Sequence, residues 1–295
     1  MRTIRLIPFL ACSVFLSALS HADCIKDERS SKTSGLLIGE FNLAGTKALS
    51  SEEVSDITSG FVGSCFNDDS EELGERIRAA FQNRGFLMVS VTNLRIKAGD
   101  PLSVPKPVVV EAEVTEGPRC KFGEIRFTGN HAFSSDKLLA EFPVKKGSVF
   151  YRDKIAHGLE SVRNLYLAEG YIDITMIPDT RITGGTVALD IDVDEGPQFH
   201  IGKLQVFAKG EQADKLRAAW EISEGTVFDR KYLDRYIDSN QALLPANFTS
   251  QSVQVVQDCR QLTVEVRLPI DPLDPRSLAP SKDVDCELGY ARTRQ

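Results

Sequence analysis

Glu116-Gly117-Pro118 and Glu195-Gly196-Pro197 bound the stretch that decides the fold. The two tripeptides lie 79 residues apart, and Phe127-Thr128-Gly129-Asn130 stands between them as an apolar strand end followed by a turn. A motif that recurs at such a spacing indicates a repeat architecture. The repeat then determines how the rest of the chain is divided into structural units.

Three further motifs recur in register with the tripeptides. They are the strand glycines Gly39, Gly123 and Gly202; Gly147-Ser148-Val149-Phe150, which returns as Gly225-Thr226-Val227-Phe228; and Arg84-Gly85-Phe86, which returns as Glu169-Gly170-Tyr171. The spacings all lie between 78 and 85 residues. Independent motifs in one register predict three successive copies of the same unit.

Each unit is predicted to contain a strand, two helices and two further strands. In the central unit the last strand alternates apolar and acidic residues from Val187 to Asp194, so one of its faces is buried. The second helix runs from about 152 to 169 and is followed by Gly170, a residue suited to a left-handed cap. The next strand starts at Tyr171, and Pro178 is expected to end it. We therefore predict an α+β fold of three tandem β-α-α-β-β repeats, each a three-stranded mixed sheet covered by two helices.

This arrangement resembles the polypeptide-transport-associated (POTRA) domain, which outer-membrane assembly factors and two-partner secretion transporters carry ahead of their barrels. The residues that carry the resemblance are Phe127-Thr128-Gly129-Asn130, Gly147-x-x-Phe150, Glu169-Gly170-Tyr171 and Glu195-Gly196-Pro197. The third unit departs from the pattern, with Leu244-Pro245-Ala246-Asn247-Phe248 where a Gly-Tyr pair is expected.

The predicted organisation has six parts. They are a signal peptide at 1–22, a polar leader at 23–35, POTRA-like units at 36–118, 119–197 and 198–270, and a proline-rich tail at 271–295. Arg2, Arg5, the apolar run 6–16 and Ser20-His21-Ala22 form the signal, with an uncleaved anchor as the alternative. In the tail, residues 286–293 resemble the first barrel strand of the same assembly factors, and we expect an array that acts without a barrel of its own.

Charge argues against a nucleic-acid partner. Without Arg2 and Arg5, the exported chain has 33 Lys and Arg residues against 42 Asp and Glu residues. A polyanion is bound through a basic surface, and the sequence has no basic cluster.

Five cysteines remain after cleavage, and disulfides are expected in an oxidising compartment. We predict the pairs Cys24–Cys65 and Cys259–Cys286, with Cys120 as a buried thiol at the start of a strand. The alternative is that several of these thiols stay free, because the sequence does not fix the pairing.

No catalytic, cofactor or metal site is predicted. Asp190, Asp192 and Asp194 imitate a calcium loop, but Gly196 comes one residue late and Ile201 stands where a bidentate Glu is required. The histidines have no ligand partner at metal-binding spacing, and no nucleophile or phosphate-binding motif occurs. The chain is therefore not expected to be an enzyme or to bind a small molecule.

The predicted binding surface is backbone at the edges of the sheets. Two of the strands in a three-stranded sheet are edges, and an edge can accept an extended peptide as an additional strand. The resemblance places the receptive edge on the second strand of each unit, at about 86–94, 171–177 and 251–257. The candidate peptide-binding residues are Tyr171, Ile172, Asp173, Ile174, Thr175, Met176, Val253 and Val255. The alternative is that an edge packs against the neighbouring unit or stays empty.

The resemblance implies a periplasmic scaffold associated with the outer membrane. Its clients would be unfolded outer-membrane or secreted polypeptides, and its partners outer-membrane barrel or lipoprotein subunits. The alternative is a structural module in cell division or envelope organisation.

Overall fold

A computed structural model of the chain describes residues 36–67, 69–99 and 107–271. These residues form two compact units by their contacts. One contains residues 36–126, 142–158 and 178–191, and the other contains residues 127–141, 159–177 and 192–271. The described residues build three β-sheets, one in each predicted repeat.

The first repeat has four strands and two helices. They are β1 (Leu36–Ala44), α1 (Ser51–Phe61), β2 (Cys65–Phe66), α2 (Ser70–Gln82), β3 (Ser90–Ala98) and β4 (Pro107–Thr115). The sheet order is β2-β1-β4-β3. Strand β4 is parallel to β1 and antiparallel to β3, so the sheet is mixed, with β2 as an added two-residue strand.

The central and third repeats keep the same order of elements. The central one has β5 (Lys121–Thr128), α3 (Ser135–Ala140), α4 (Arg152–Ala168), β6 (Thr175–Thr183) and β7 (Thr186–Asp194). The third has β8 (His200–Phe207), α5 (Glu211–Ala218), α6 (Arg230–Ser239), β9 (Gln254–Asp258) and β10 (Thr263–Pro269). The sheet orders β5-β7-β6 and β8-β10-β9 place the last strand of each repeat in the centre. The predicted fold class is confirmed.

Local signals explain where the helices begin. Ser50 and Glu53 form a reciprocal capping box at the start of α1, and the Asp69 carboxylate accepts the first amides of α2. Ser134 does the same for α3. The apolar faces of these helices and sheets form a separate buried core in the first repeat and another in the third.

The aligned strand glycines lie where the first strand approaches the last. The β1–β4 register shifts between Ile38 and Glu40, on either side of Gly39. A Cβ at Gly39 would lie 2.7 Å from Pro107 Cβ, and one at Gly123 would lie 2.9 Å from the Val187 oxygen. The recurrence of glycine therefore reflects close backbone contact at a bulge.

The prediction that Pro178 ends its strand is wrong. Strand β6 continues through Pro178 to Thr183. Proline removes a backbone donor, which an edge strand tolerates because one of its sides has no partner strand. None of the helices in the described residues is both long and apolar enough to cross a membrane.

Candidate functional site: the sheet edges and the joints between repeats

The second strand of every repeat lies at an edge of its sheet. Strands β3, β6 and β9 each adjoin only the central strand of their sheet. A strand in this position presents a row of backbone N–H and C=O groups along its outer side. We call the outer sides of β3, β6 and β9 the receiving edges.

The first-strand edge is partly covered in the central and third repeats. Phe122 N–H donates to the Ser148 oxygen at 2.7 Å, and Gly147 N–H donates to the Phe122 oxygen at 2.7 Å. In the third repeat, Ile201 exchanges the same two bonds with Thr226 and Gly225, at 2.6 and 2.7 Å. The recurring Gly-x-x-Phe loop is therefore an edge cover, and it leaves the second strand as the open side.

The first repeat contains a copy of this loop that the sequence reading missed. Ile38 N–H donates to the Ser64 oxygen at 3.0 Å, and Gly63 N–H donates to the Ile38 oxygen at 2.8 Å. Gly63-Ser64-Cys65-Phe66 is thus equivalent to Gly147-Ser148-Val149-Phe150. The offset of 84 residues, which also separates Gly39 from Gly123, was the signal that could have revealed it.

The receiving edges differ in what they present. Strand β3 has nine residues and no proline, and its exposed face carries Arg95 and Lys97. Strand β6 is interrupted by Pro178, and its Ile177 side chain is 65% exposed. Strand β9 has only five residues. By length and the absence of proline, β3 is the edge best suited to a long backbone ladder.

Most of the predicted peptide-binding residues do not lie on a strand. Tyr171, Ile172, Asp173 and Ile174 precede β6, and Val253 precedes β9 and is buried in the third core. Only Thr175, Met176 and Val255 lie on receiving edges. The assignment of these five residues to edge strands is therefore wrong. The four residues between Gly170 and β6 lie in a segment used for packing, and Val253 lies in the third core.

That packing forms the joint between the central and third repeats. Ile172 packs against the core of the third repeat, and Asp173 Oδ1 accepts a hydrogen bond from Gln257 Nε2 at 2.8 Å. Phe199 N–H donates to the Gly170 oxygen at 2.8 Å, and Gln198 Nε2 donates to the preceding carbonyl at 2.9 Å. The segment between Gly170 and β6 thus packs against the neighbouring repeat.

The joint between the first and central repeats is built in the same way. Cys120 N–H donates to the Gly85 oxygen at 2.8 Å, and Arg119 Nε donates to the Arg84 oxygen at 2.9 Å. Arg119 also forms an ion pair with Glu53 at 2.8 Å and lies over the Phe86 ring. The Ser50 amide, followed by Arg119, holds the pKa of Glu53 below its ordinary value.

One cysteine lies at the joint between the first and central repeats. Cys120 is a free thiol buried in the first joint, as predicted. Burial raises the pKa of the Cys120 thiol, which keeps it protonated and unreactive. Cys24 and Cys286 lie outside the described residues, so both pairings stay predictions.

No group of three or more metal-ligating side chains occurs within the described residues. Two acidic residues of β7 instead form an ion pair and a hydrogen bond across the outer face of the sheet. Asp190 pairs with Arg181, and Asp192 accepts a hydrogen bond from the Thr128 hydroxyl at 3.2 Å.

These features define a class of protein: a tandem array of small α+β repeats, joined by hydrogen-bonded glycine caps, in which the second strand of each repeat lies at an edge of its sheet. The POTRA family model, described as surface antigen variable number repeat, matches residues 120–196, which is the central repeat. The match coincides with the unit that carries the most complete set of sequence motifs.

Two curated proteins and one solved structure are also similar to this chain. The outer membrane protein assembly factor BamA of Neisseria meningitidis is 23% identical over 257 residues, covering 80% of this chain and 32% of that protein. A putative outer membrane protein assembly factor of Treponema pallidum is 29% identical over 106 residues, covering 36% of this chain and 12% of that protein. POTRA domains 3–5 of Haemophilus influenzae BamA superpose with a TM-score of 0.58 at 18% identity, covering 79% of this chain and 95% of that structure.

The chain spans a third or less of the length of these curated relatives. The central repeat thus matches the POTRA family model, and the chain as a whole is similar to part of these outer-membrane protein assembly factors.

Proposed function

We propose that this chain is a non-enzymatic periplasmic module of outer-membrane protein assembly, and that it holds unfolded client polypeptides by strand addition at β3. The two curated relatives are outer-membrane protein assembly factors, which supports the role in assembly. The signal-like residues 1–22 support export to the periplasm. The geometry of strand β3 supports the second half of the proposal, which is client binding by strand addition.

The β3 edge has the geometry that strand addition requires. Its nine residues rise about 30 Å, enough for a ladder of several main-chain hydrogen bonds. Leu94 and Ile96 are half-buried against the first core, so an incoming strand would extend that apolar surface. Among the described residues, β3 pairs with β4 alone.

The β3 edge would also give the chain loose selectivity for the sequences of its clients. Main-chain bonds do not depend on the side chains of the client, which suits a module that handles many sequences. Arg95 and Lys97 lie on the exposed face, where charges discourage permanent pairing between edges. A register shift between Val91 and Asn93 adds a local bulge, which also limits continuous pairing. The edge is thus suited to transient occupancy.

Photocrosslinking tests this proposal. A photoreactive residue at Asn93 or Arg95 is expected to label outer-membrane precursors in cells, because both residues lie on β3. The control is a photoreactive residue at Asp192, which is also exposed but lies on the central strand β7. Labelling of no polypeptide, equal labelling from Asp192, or labelling of division proteins alone would contradict the proposal, and the last result would favour an envelope structural module.

A further inference from the structure

Strand β3 has two chemically different faces. Asn93, Arg95 and Lys97 alternate along its exposed face, and none of the nine residues of the strand is acidic. Leu94 and Ile96 are partly buried on the opposite face, where they pack against the core of the first repeat. A strand that adds to this edge would therefore have one face beside basic side chains and the other continuous with an apolar surface.

Strand β4 shows which side-chain pattern β3 accepts on its inner side. In the β3–β4 register, Arg95 lies opposite Glu111, and Asn93 lies opposite Glu113. Lys97 Nζ also forms an ion pair with Glu111. On the other face, the apolar residues of β3 lie opposite apolar residues of β4. The strand that already pairs with β3 thus alternates apolar with acidic side chains where the two strands are in register.

The basic side chains of β3 are also close to its outer side. An incoming strand would lie about 4.8 Å from β3 and about twice as far from β4. Glu111 and Glu113 would therefore lie beyond the Debye length of about 8 Å at physiological ionic strength, and their charges would be largely screened. Arg95 takes part in none of the ion pairs among the described residues. The charge nearest to an incoming strand is thus positive.

The other two receiving edges do not have this basic face. On β6, Ile177, Asp179 and Arg181 share the exposed face, and Arg181 is already paired with Asp190 of β7. Strand β9 contains no basic residue and ends at Asp258. Among the three receiving edges, β3 is therefore the one whose charge would favour one kind of client segment over another.

We infer that the β3 edge prefers client segments in which apolar residues alternate with acidic ones, and that Arg95 sets this preference. The inference rests on the proposed function, because it names the class of segment that occupies the same edge. The apolar side chains of the client extend the surface formed by Leu94 and Ile96. Its carboxylates lie on the other face, beside Arg95 and Lys97.

Charge ranks the clients and does not replace the main-chain contribution to their affinity. Hydrogen bonds along the backbone hold any extended segment, whatever its side chains. Opposite charges on neighbouring strands stabilise their pairing, and like charges destabilise it. Exchanging acidic for basic residues at the two client positions beside Arg95 and Lys97 should therefore weaken binding about tenfold. A segment with neutral residues at those positions should bind with intermediate affinity.

Three synthetic peptides with the side-chain pattern of β7 test the preference. That strand reads Thr-Val-Ala-Leu-Asp-Ile-Asp-Val-Asp, and the peptides carry aspartate, lysine or asparagine at its three acidic positions. Each peptide is crosslinked to the full chain through a photoreactive residue at Asn93, and the labelled fraction against peptide concentration gives an apparent Kd. The aspartate peptide should bind about tenfold more tightly than the lysine peptide. Arg95→Gln should reduce this difference to about threefold, and Arg95→Glu should reverse the order of the two peptides.

The asparagine peptide and a charge-matched variant supply the controls. The asparagine peptide should bind the natural chain and Arg95→Glu with apparent Kd values within about twofold, which shows that the edge is intact in the variant. Arg163→Glu makes the same charge change at an exposed position of α4 and should leave the order of the peptides unchanged. Equal apparent Kd values for the aspartate and lysine peptides, or an equal effect of Arg163→Glu and Arg95→Glu, would overturn the inference while strand addition stands. Labelling of none of the three peptides would overturn the proposed strand addition and this inference with it.

Discussion

The hydroxyl of Tyr166 donates a 2.8 Å hydrogen bond to Glu195 Oε1. The same carboxylate oxygen accepts the backbone amides of His131 and Ala132, each at 2.8 Å. In the first repeat, Glu116 accepts the amides of Ala48 and Leu49 in the equivalent loop. The glutamate of each Glu-Gly-Pro motif thus ties the end of the last strand to the loop after the first strand.

Replacing Glu195 with alanine should lower the free energy of unfolding by about 2–3 kcal/mol. The substitution leaves two amides and a buried hydroxyl without their acceptor, and each such bond contributes roughly 1 kcal/mol. Tyr166→Phe, which removes one of the three bonds, should cost about 1 kcal/mol. Glu124→Ala, at an exposed ion pair with Arg126, should change stability by less than about 0.5 kcal/mol. Denaturant unfolding followed by circular dichroism measures all three, and equal midpoints for Glu195→Ala and Glu124→Ala would contradict the assignment.

Replacing each of two helical glycines with alanine should change the free energy of unfolding in opposite directions. A Cβ at Gly158 in α4 would lie 2.2 Å from Phe142 Cδ1, whereas a Cβ at Gly60 in α1 meets nothing within 4 Å. Gly158→Ala should destabilise by about 1–2 kcal/mol, because overpacking exceeds the gain in helix propensity. Gly60→Ala should stabilise by roughly 0.5–1 kcal/mol. Thermal or denaturant unfolding of the two variants measures these changes. A shift of the unfolding midpoint in the same direction for both variants would show that Phe142 moves aside freely.

The first joint should open when Gly85 gains a side chain. Gly85 has a φ of 93° and its Cβ would meet Val149, so alanine is both strained and obstructed there. We expect alkylation of Cys120 to accelerate at least tenfold in Gly85→Ala, read by mass spectrometry of the peptide that contains this thiol. Gly225→Ala is the matched control, with a φ of 85° and open space around the new Cβ. Equal alkylation rates in the two variants would show that a side chain at Gly85 does not open the first joint.

Acid should loosen the same joint through Glu53. Its pKa in the folded chain lies below the ordinary value of 4.5, chiefly through the Ser50 amide and then through Arg119. Its contribution to stability is therefore fully present above about pH 4.5 and is lost as the pH falls through the folded-state pKa. Alkylation of Cys120, corrected for thiolate fraction, should rise below pH 4.5 in the natural chain.

Glu53→Gln supplies the control for this pH dependence. The variant should show faster alkylation already at pH 7 and a weaker change on acidification, because its side chain does not titrate. Added salt should speed alkylation in the natural chain more than in the variant, since the Glu53–Arg119 pair is partly exposed and therefore screened. Parallel pH profiles for the two proteins would exclude Glu53 as the titrating group.

The sequence predicted the repeat, its order of elements and the edge position of the second strand. These features depend on periodic patterns, which are local. The alternation from Val187 to Val193 and the glycine cap at Gly170 are both visible in the chain and present in the structure. The prediction that the second strand forms an edge is also confirmed for β3, β6 and β9.

Strand boundaries and joint contacts could not be read in the same way. Ile172 and Ile174 look like strand residues, but they fill the space between two repeats and inside the central one, and this depends on a partner surface. Leu262 adopts a left-handed φ of 54° where the central repeat uses Gly185, and its carbonyl still accepts the His200 amide. Tertiary contacts impose that conformation against the preference of leucine.

The central position of the last strand has a consequence for how each repeat matures. In the first repeat, Leu37 pairs with Pro107 across 70 residues, so the sheet is incomplete until β4 has emerged from the ribosome or a translocation channel. Until then, strands β1 and β3 lack β4, the strand that pairs with both of them. Each repeat must therefore close in one late, non-local step, and the amino-terminal repeat finishes first during vectorial delivery.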